Sequence, residues 1–592
     1  MKRSVGQIKA VLKSERQQYK TRWQFSTAPC LLQQSAISGP APSATGFNNY
    51  EEGRQKFQLI VPEKYNFARD VLDQWSSKAQ HSARTALWWV DDYGQEFKWT
   101  FKHMEILSKR LANGMSVKCQ LKAGDRVIVI LPRLPEWWVI NLACMRIGLV
   151  LCPGTVLLTP KDIMQRIQAS GAKCIITDEA GATEVQKIAR DCPTLKTKVV
   201  VGAEKIRPGW FGLSHLMEGG STEHKCIDSL SSDPMTLFFT SGTTGLPKMV
   251  EHTHASYGMA HVITGKYWLD LTPEDIHWNM SDTGWAKSAW SSLFAPWIQG
   301  ACIFAHHSPS FDAEQTLRML EQYPISTFCT APTAYRMFAQ QDLKDREFKA
   351  LRHCLSAGEP LNPEVTEVWE EHTKHTIREG YGQTETVLLC GSFRCLQNKP
   401  GSMGKPAPGY DIQVIDQEGN ELEPGQEGNI AVKYKPDRPV GLFTGYLDDE
   451  ERTSASFHRD YYLTGDRAYC DEEGYLWFVG RSDDVIISAG YRIGPFEVES
   501  ALIEHPAVVE SAVVSSPDET RGEVVKAFIV LSEAYKTIDK DNLTKELQEH
   551  VKKSTAPYKY PRKVEFVEQL PKTVSGKIRR VELREKEHSK EK

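Results

Sequence analysis

Nine consecutive residues, Thr240-Ser241-Gly242-Thr243-Thr244-Gly245-Leu246-Pro247-Lys248, combine backbone freedom, hydroxyl donors and one cation. Gly242 and Gly245 let main-chain N–H groups converge on an anion, the Thr and Ser side chains add donors, and Lys248 supplies a point charge. That set suits a polyphosphate. The spacing departs from the P-loop, because four residues do not separate Gly from Gly-Lys and no Ser or Thr follows Lys248. A plain surface turn is the structural alternative for a Gly and Thr cluster. Four further segments carry residues able to serve the same ligand: Gly358-Glu359-Pro360, Glu379-Gly380-Tyr381-Gly382-Gln383-Thr384-Glu385, Thr464-Gly465-Asp466 and Gly480-Arg481-Ser482-Asp483-Asp484. Glu385 offers the hard carboxylate oxygen that Mg2+ prefers, with the Thr240 hydroxyl as a second oxygen. Taken alone, Glu385 would be an ordinary surface carboxylate, and Arg481 and Arg492 would be members of surface ion pairs. Lys577 ends Pro571-Lys572-Thr573-Val574-Ser575-Gly576-Lys577, too polar and too punctuated by Gly and Pro for a core and readable as a mobile loop carrying a lysine.

These residues need elements to hold them. From about Phe67 onward apolar helical patterns alternate with short β-branched runs, such as Arg126-Val127-Ile128-Val129-Ile130 and Cys174-Ile175-Ile176-Thr177. The alternation predicts an α/β fold, a large multi-lobed N-terminal domain of layered, largely parallel sheets. The run Met235-Thr236-Leu237-Phe238-Phe239 ends directly at the glycine-rich loop, placing that loop after a strand, where α/β proteins bind ligands. A Gly and Asp turn at 480–484 separates the aromatic run 475–478 from Val485-Ile486-Ile487, and the chain is divided there. The remainder reads as a small α+β domain: helix 495–504, strands 508–514 and 524–530, helix 541–553 and strand 563–567. The expected division is thus 1–46 leader and flexible segment, 47–482 large domain and 483–592 small domain.

Together with Lys577, the five segments closely resemble the adenylate-forming enzymes, a superfamily that includes acyl-CoA synthetases, luciferases and peptide-synthetase adenylation domains. Ser281-Asp282-Thr283-Gly284-Trp285-Ala286-Lys287-Ser288 and Tyr491-Arg492-Ile493-Gly494-Pro495-Phe496-Glu497-Val498-Glu499 are similar to segments of the mitochondrial medium-chain acyl-CoA synthetases. The resemblance implies ATP-dependent ligation of a medium-chain or aromatic acid to coenzyme A through an acyl adenylate, with Mg2+. It implies that Asp466, Arg481 and Arg492 hold ribose or phosphate, that Lys577 serves adenylation, and that the small domain rotates about Asp483. Coenzyme A is assigned to Ala489, Gly490, Tyr491, Arg521, Lys552, Tyr560, Pro561 and Arg562, although Ala489 stands where relatives often have Ser, and Lys or Arg on a solvated face is equally ordinary. Trp285, Ala286 and Ser288 are candidates for the acyl pocket, with plain core packing the alternative for an aromatic. Other adenylate formers, which load a carrier protein or oxidise a luciferin, and a catalytically silent binder of ATP or acyl-CoA, are the competing readings.

Composition agrees with this class. The chain has 592 residues, 40% hydrophobic and 25% charged, with a net charge of -4, so no global basicity points to nucleic acid. Its 13 cysteines include no C-x-x-C, which argues against a disulfide framework or zinc ribbon and for a reducing compartment. His252, His254, His306 and His307 have no partners at zinc spacing. Seven basic residues, Lys2, Arg3, Lys9, Lys13, Arg16, Lys20 and Arg22, face only Glu15, and a Ser/Ala/Pro-rich segment follows at 26–45. This composition predicts a mitochondrial transit peptide and a matrix destination, with a disordered basic tail as the alternative. No transmembrane segment is expected, because the most apolar stretch, 137–158, contains Arg146, Pro153 and Gly154 and reads as a core helix followed by a strand.

Overall fold

A computed structural model describes residues 43–218, 220–240, 248–488, 491–518, 521–572 and 577–589, without the side chains of Ala79 and Arg492. The expected leader therefore lies outside the described residues up to residue 42. Among the described residues, no helix is long and apolar enough to cross a membrane.

The β-branched runs become strands buried on both faces, as parallel sheets require. Val150–Gly154, Arg126–Ile130, Cys174–Asp178 and Thr197–Val201 lie side by side in an eight-stranded sheet. A second sheet of fourteen strands has a parallel half, from Thr85–Asp91 through Cys302–His307, Ile276–Asn279, Thr327–Thr330 and His353–Ala357 to Ile377–Gly382. Both sheets are mixed rather than parallel throughout. In the second, antiparallel strands run from Leu388–Gly391 out to Ile412–Ile415. Neighbouring strands there run antiparallel, so no crossover helix is needed between them. In the first, Pro234–Thr240 and Lys248–Thr253 pair antiparallel with Thr240 opposite Lys248, so the glycine-rich loop joins two strands of one hairpin. Residues 241–247 themselves lie outside the described residues.

The apolar stretch at 137–158 forms helix Glu136–Ile147 and strand Val150–Gly154, as expected. Every residue of the helix is buried, including Arg146, whose guanidinium meets both oxygens of Asp73 at 2.9 and 2.6 Å and the Ser108 hydroxyl at 3.0 Å. Pairing of this quality is what permits a cation there.

The last strand of the large sheet, Leu476–Arg481, is followed by Ile486–Ser488 in a separate five-stranded sheet. That sheet contains Val508–Asp518 and Gly522–Leu531, both longer than the sequence pattern indicates because they form one continuous antiparallel ladder. Helices Pro495–Ile503 and Lys540–Ser554 bury Val498, Leu502, Leu543, Leu547 and Val551 against it.

Residues 43–45, assigned from sequence to the flexible leader, are instead tied to the large domain. The Ser43 hydroxyl donates to Asp270 Oδ1 at 2.7 Å, and the Ala44 and Thr45 N–H groups donate to the same carboxylate at 3.0 and 3.1 Å. Arg352 reaches Asp270 Oδ2 at 3.0 Å, and Asp270 is only 1% exposed. Phe47 then packs edge-on against Tyr267 and Phe393, Tyr50 donates to the Pro406 carbonyl, and Arg54 to that of Tyr410. Sequence composition missed this strap because its anchor is a single buried carboxylate more than two hundred residues away. Replacing Asp270 by Asn takes a charge from a buried network; the expected loss in urea unfolding is about 3–5 kcal/mol, and a loss below about 1 kcal/mol, a neutral hydrogen bond's worth, would show the anchor to be incidental.

Candidate active site

One cleft of about 1410 Å³ is lined by Thr240 and Lys248 from the hairpin, Gly358, Glu359 and Pro360 after strand His353–Ala357, residues 379–385, Asp466, Arg481 and Asp483, and Lys577 from the small domain. Sequence segments separated by more than three hundred residues thus meet around one space. The parallel strands deliver their C-terminal ends here, the side on which open α/β sheets hold ligands.

Lys248 and Glu385 both line the cleft, with Tyr446 between them. The Lys248 ammonium sits 5.5 Å above the Tyr446 ring, and Tyr446 Oη donates to Glu385 Oε1 at 2.8 Å. Burial lowers the Lys248 pKa while Glu385 pulls it back up. The Thr240 hydroxyl is buried with no hydrogen-bond partner among the described residues. An orphaned hydroxyl and a carboxylate with one oxygen uncommitted to Tyr446 give the hard oxygen donors that Mg2+ takes, alongside phosphate and water, so the residues fit that ion. Ser241, Gly242, Thr243, Thr244, Gly245, Leu246 and Pro247 lie outside the described residues.

Asp466 is a tightly held acid of the cleft. It is 4% exposed; Tyr381 Oη and Gln383 Nε2 donate to its Oδ2 at 2.6 and 2.7 Å, and Arg481 lies 3.4 Å from Oδ1. Burial raises its pKa against the pull of Arg481, Tyr381 and Gln383. Tyr462 and the Thr464 carbonyl hold the amide of Gln383 in turn, at 3.1 and 2.8 Å. A carboxylate fixed this way can accept from a diol without reorganising.

The opposite wall is a shelf. Gly358 adopts φ 113°, open only to glycine, and turns the chain into Glu359-Pro360. Glu359 Oε1 accepts from Thr333 at 2.8 Å and Arg336 at 2.7 Å. Neither Thr333 nor Arg336 was singled out from sequence, since an Arg three residues after a Thr inside helix Pro332–Ala339 carries no motif. Glu379 stands behind the shelf, accepting from the Leu361 and Gly401 N–H groups at 3.0 and 3.2 Å. Gly380 serves packing, since a Cβ there would come within 2.5 Å of the Trp268 ring.

The remaining candidates, Asp483 excepted, are not among the residues that line this cleft. Trp285 precedes the short helix Ala286–Ala289, whose Ala286 carbonyl accepts from Tyr257 and whose Ser288 is buried. Tyr491 stacks on Tyr558 with centroids 4.5 Å apart. The Tyr560 ring is approached by both Lys552 and Arg562, and Arg562 also donates to its hydroxyl at 2.8 Å. The Pro561 carbonyl accepts from Gln548, and the Arg521 N–H donates to Asp518 Oδ1 at 3.0 Å. Arg492 pairs with Ile487 through its backbone; Ala489 and Gly490 lie outside the described residues. Asp483 is held at its carbonyl by Arg584, which also meets Asp484 Oδ1 at 2.9 Å. The histidines considered above make ordinary bonds: His252 lies between Ser256 and the Thr384 carbonyl, and His306 pairs with Asp92.

Comparisons with known proteins match this geometry. The family described as AMP-binding enzyme matches residues 74–447, and the AMP-binding enzyme C-terminal domain matches residues 497–577. The mitochondrial acyl-coenzyme A synthetase ACSM3 of Mus musculus is 56% identical over 544 residues, covering 91% of this chain and 94% of the relative. Among solved structures, the anthranilate CoA ligase AuaEII in complex with anthranoyl-AMP superposes with a TM-score of 0.81 at 28% identity, covering 90% of this chain and 99% of the other. ATP-bound MatB from Rhodopseudomonas palustris gives 0.77 at 26% identity, covering 88% and 99%.

Glu379 generates a pH test. The residue is half-buried but its carboxyl is enclosed, and burial pushes its pKa from 4.5 to about 8 against the two backbone donors. Between those values the unfolded chain is ionised while the folded carboxyl stays protonated, so this group's contribution to stability falls as pH rises and levels off above about 8. Melting temperatures of the native protein should therefore decline relative to Glu379→Gln between pH 5 and 8. Parallel curves would mean that Glu379 is ionised when folded.

Proposed function

The chain belongs to the AMP-binding enzyme family, and on that premise we propose that it is a mitochondrial medium-chain acyl-CoA synthetase, ligating medium-chain and some aromatic acids to coenzyme A with release of AMP and pyrophosphate. The observation that carries the proposal is the meeting of Lys248, Glu385, Asp466, Arg481 and Lys577 around one cleft. Hydroxide is too poor a leaving group for a carboxylate to acylate a thiol directly. In the first half-reaction a carboxylate oxygen bonds to the α-phosphorus of ATP, the bond to pyrophosphate breaks, and acyl-AMP remains. In the second, the thiol sulfur of coenzyme A attacks the acyl carbon, AMP departs and the thiol proton is lost.

Charge is the main obstacle in the first step. Lys248 and the loop 241–247 hold the β- and γ-phosphates, and Arg481 and Arg492 reach phosphate or ribose. Thr240 and Glu385 would hold Mg2+, which when bound neutralises phosphate charge and steadies the leaving pyrophosphate. Asp466 accepts the ribose hydroxyls, while Gly358-Glu359-Pro360 and residues 379–384 receive the nucleotide. Trp285, Ala286 and Ser288 line the approach of the acyl chain. Lys577 meets the charge developing between carboxylate and α-phosphate.

The coenzyme A candidates Ala489, Gly490, Tyr491, Arg521, Lys552, Tyr560, Pro561 and Arg562 belong to the second half-reaction. Those that the structure describes do not line the cleft that Lys577 lines, which supports a small domain that turns about Asp483 to exchange one face for the other. The boundary 482/483 is proposed on the same ground. The leader is placed before Ser43, and its basic, acid-poor composition together with the mitochondrial relative supports delivery to the matrix.

Mass spectrometry of products from ATP, Mg2+ and C4 to C16 or aromatic acids checks the reading. Acyl-AMP without coenzyme A, giving way to acyl-CoA and AMP on its addition, is expected; ATP binding with no adenylate from any acid would refute it. Lys577→Ala should lower single-turnover adenylation by on the order of 10^2 to 10^3, while thioester formation from supplied acyl-AMP survives. Equal loss of both steps would refute the turning domain.

A further inference from the structure

Lys287 is a cation held by backbone carbonyls. Its ammonium donates to the carbonyl oxygens of Thr330 and Ala357, each at 2.8 Å. Those carbonyls end the adjacent parallel strands Thr327–Thr330 and His353–Ala357. Among the described residues no carboxylate lies within ion-pair distance of it. The nearest acid to act on it, Glu359, has already committed Oε1 to Thr333 and Arg336. Removing a cation from water without a counter-charge is costly, and burial accordingly lowers the Lys287 pKa, with Lys577 lowering it further. Lys287 lies behind the cleft wall rather than on it, and an anion reaching in from the cleft would relieve its repulsion with Lys577.

The position identifies which anion. Ala357 precedes Gly358, and Thr330 lies three residues before Thr333; both Gly358 and Thr333 line the cleft. Lys287 itself follows Ala286 and precedes Ser288, in the segment assigned to the acyl chain. An ammonium has three N–H donors, and the two carbonyls use two of them. We propose that the third receives the carboxylate of the acid substrate, selecting an anion over a neutral isostere and holding it for the α-phosphate before Lys577 acts. Lys287 is thus a substrate-binding residue of the adenylation step, an assignment that rests on the acid:CoA ligase reading above.

The test compares octanoate with octanamide, which matches it in shape and lacks its charge, by titration calorimetry on the full chain without ATP. The native protein should bind octanoate roughly tenfold or more tightly than the amide, the margin typical of a charged hydrogen bond. Lys287→Met should weaken octanoate by about 10- to 100-fold, leave octanamide unchanged, and leave thioester formation from supplied octanoyl-AMP within about threefold, less than a neutral hydrogen bond would cost. Equal binding of the two ligands by the native protein overturns the inference without recourse to the variant, so a variant that does not fold leaves it exposed to refutation. Retained preference for octanoate in Lys287→Met overturns it equally. Absence of acyl-AMP from any acid in the native enzyme would instead overturn the ligase reading on which it depends.

Discussion

Two anions must be brought within bonding distance, and that repulsion governs the architecture. A carboxylate and a polyphosphate at about 4 Å repel by about 4 kcal/mol per pair of unit charges at an effective dielectric of 20. The cations proposed to answer it, Lys248, Arg481, Lys287 and Lys577, come from a hairpin, a strand end, a short helix and the last segment of the small domain. No single element could present them in a ring. Parallel strands ending on one side, with antiparallel strands continuing the sheet beyond them, are a way to make four remote segments converge while each stays anchored in a core.

Asp466 shows what such a site requires of its acids. Its neighbours are Tyr381, near the end of strand Ile377–Gly382, and Gln383, just after it, and Gln383 is itself fixed by Tyr462 and Thr464. The carboxylate is held from both sheet segments at once, so the nucleotide wall and the strand carrying Arg481 cannot shift independently. Coupling of this kind pre-organises a site without a bound ligand.

The parts visible in the sequence are those in which local backbone and chemistry coincide. The glycine-rich loop after a β-branched run, Gly358 at its turn and Asp466 after Thr464-Gly465 are contiguous signals, and strand Arg126–Ile130 is written in its own residues. Arg336, Thr333 and the Arg580 bridge to Glu499 were invisible because each gains meaning only from a partner on another element. The anchoring of residues 43–45 was hidden for the same reason: their composition continues that of the leader, and only the buried Asp270 gives them a place. Sheet direction was half legible, since a short strand run reveals burial but not which way its neighbour points.

That strap also sets an order of assembly. Tyr50 bonds the carbonyl of a residue 356 positions later, and Arg54 closes a loop of the same span. Contacts so distant along the chain form late, after the entropy of closing the intervening segment has been overcome by local structure. The segment synthesised among the first therefore docks among the last, onto a sheet it helps to seal. Residues 50–54 thus join the sheet through partners more than three hundred residues away rather than through their own neighbours.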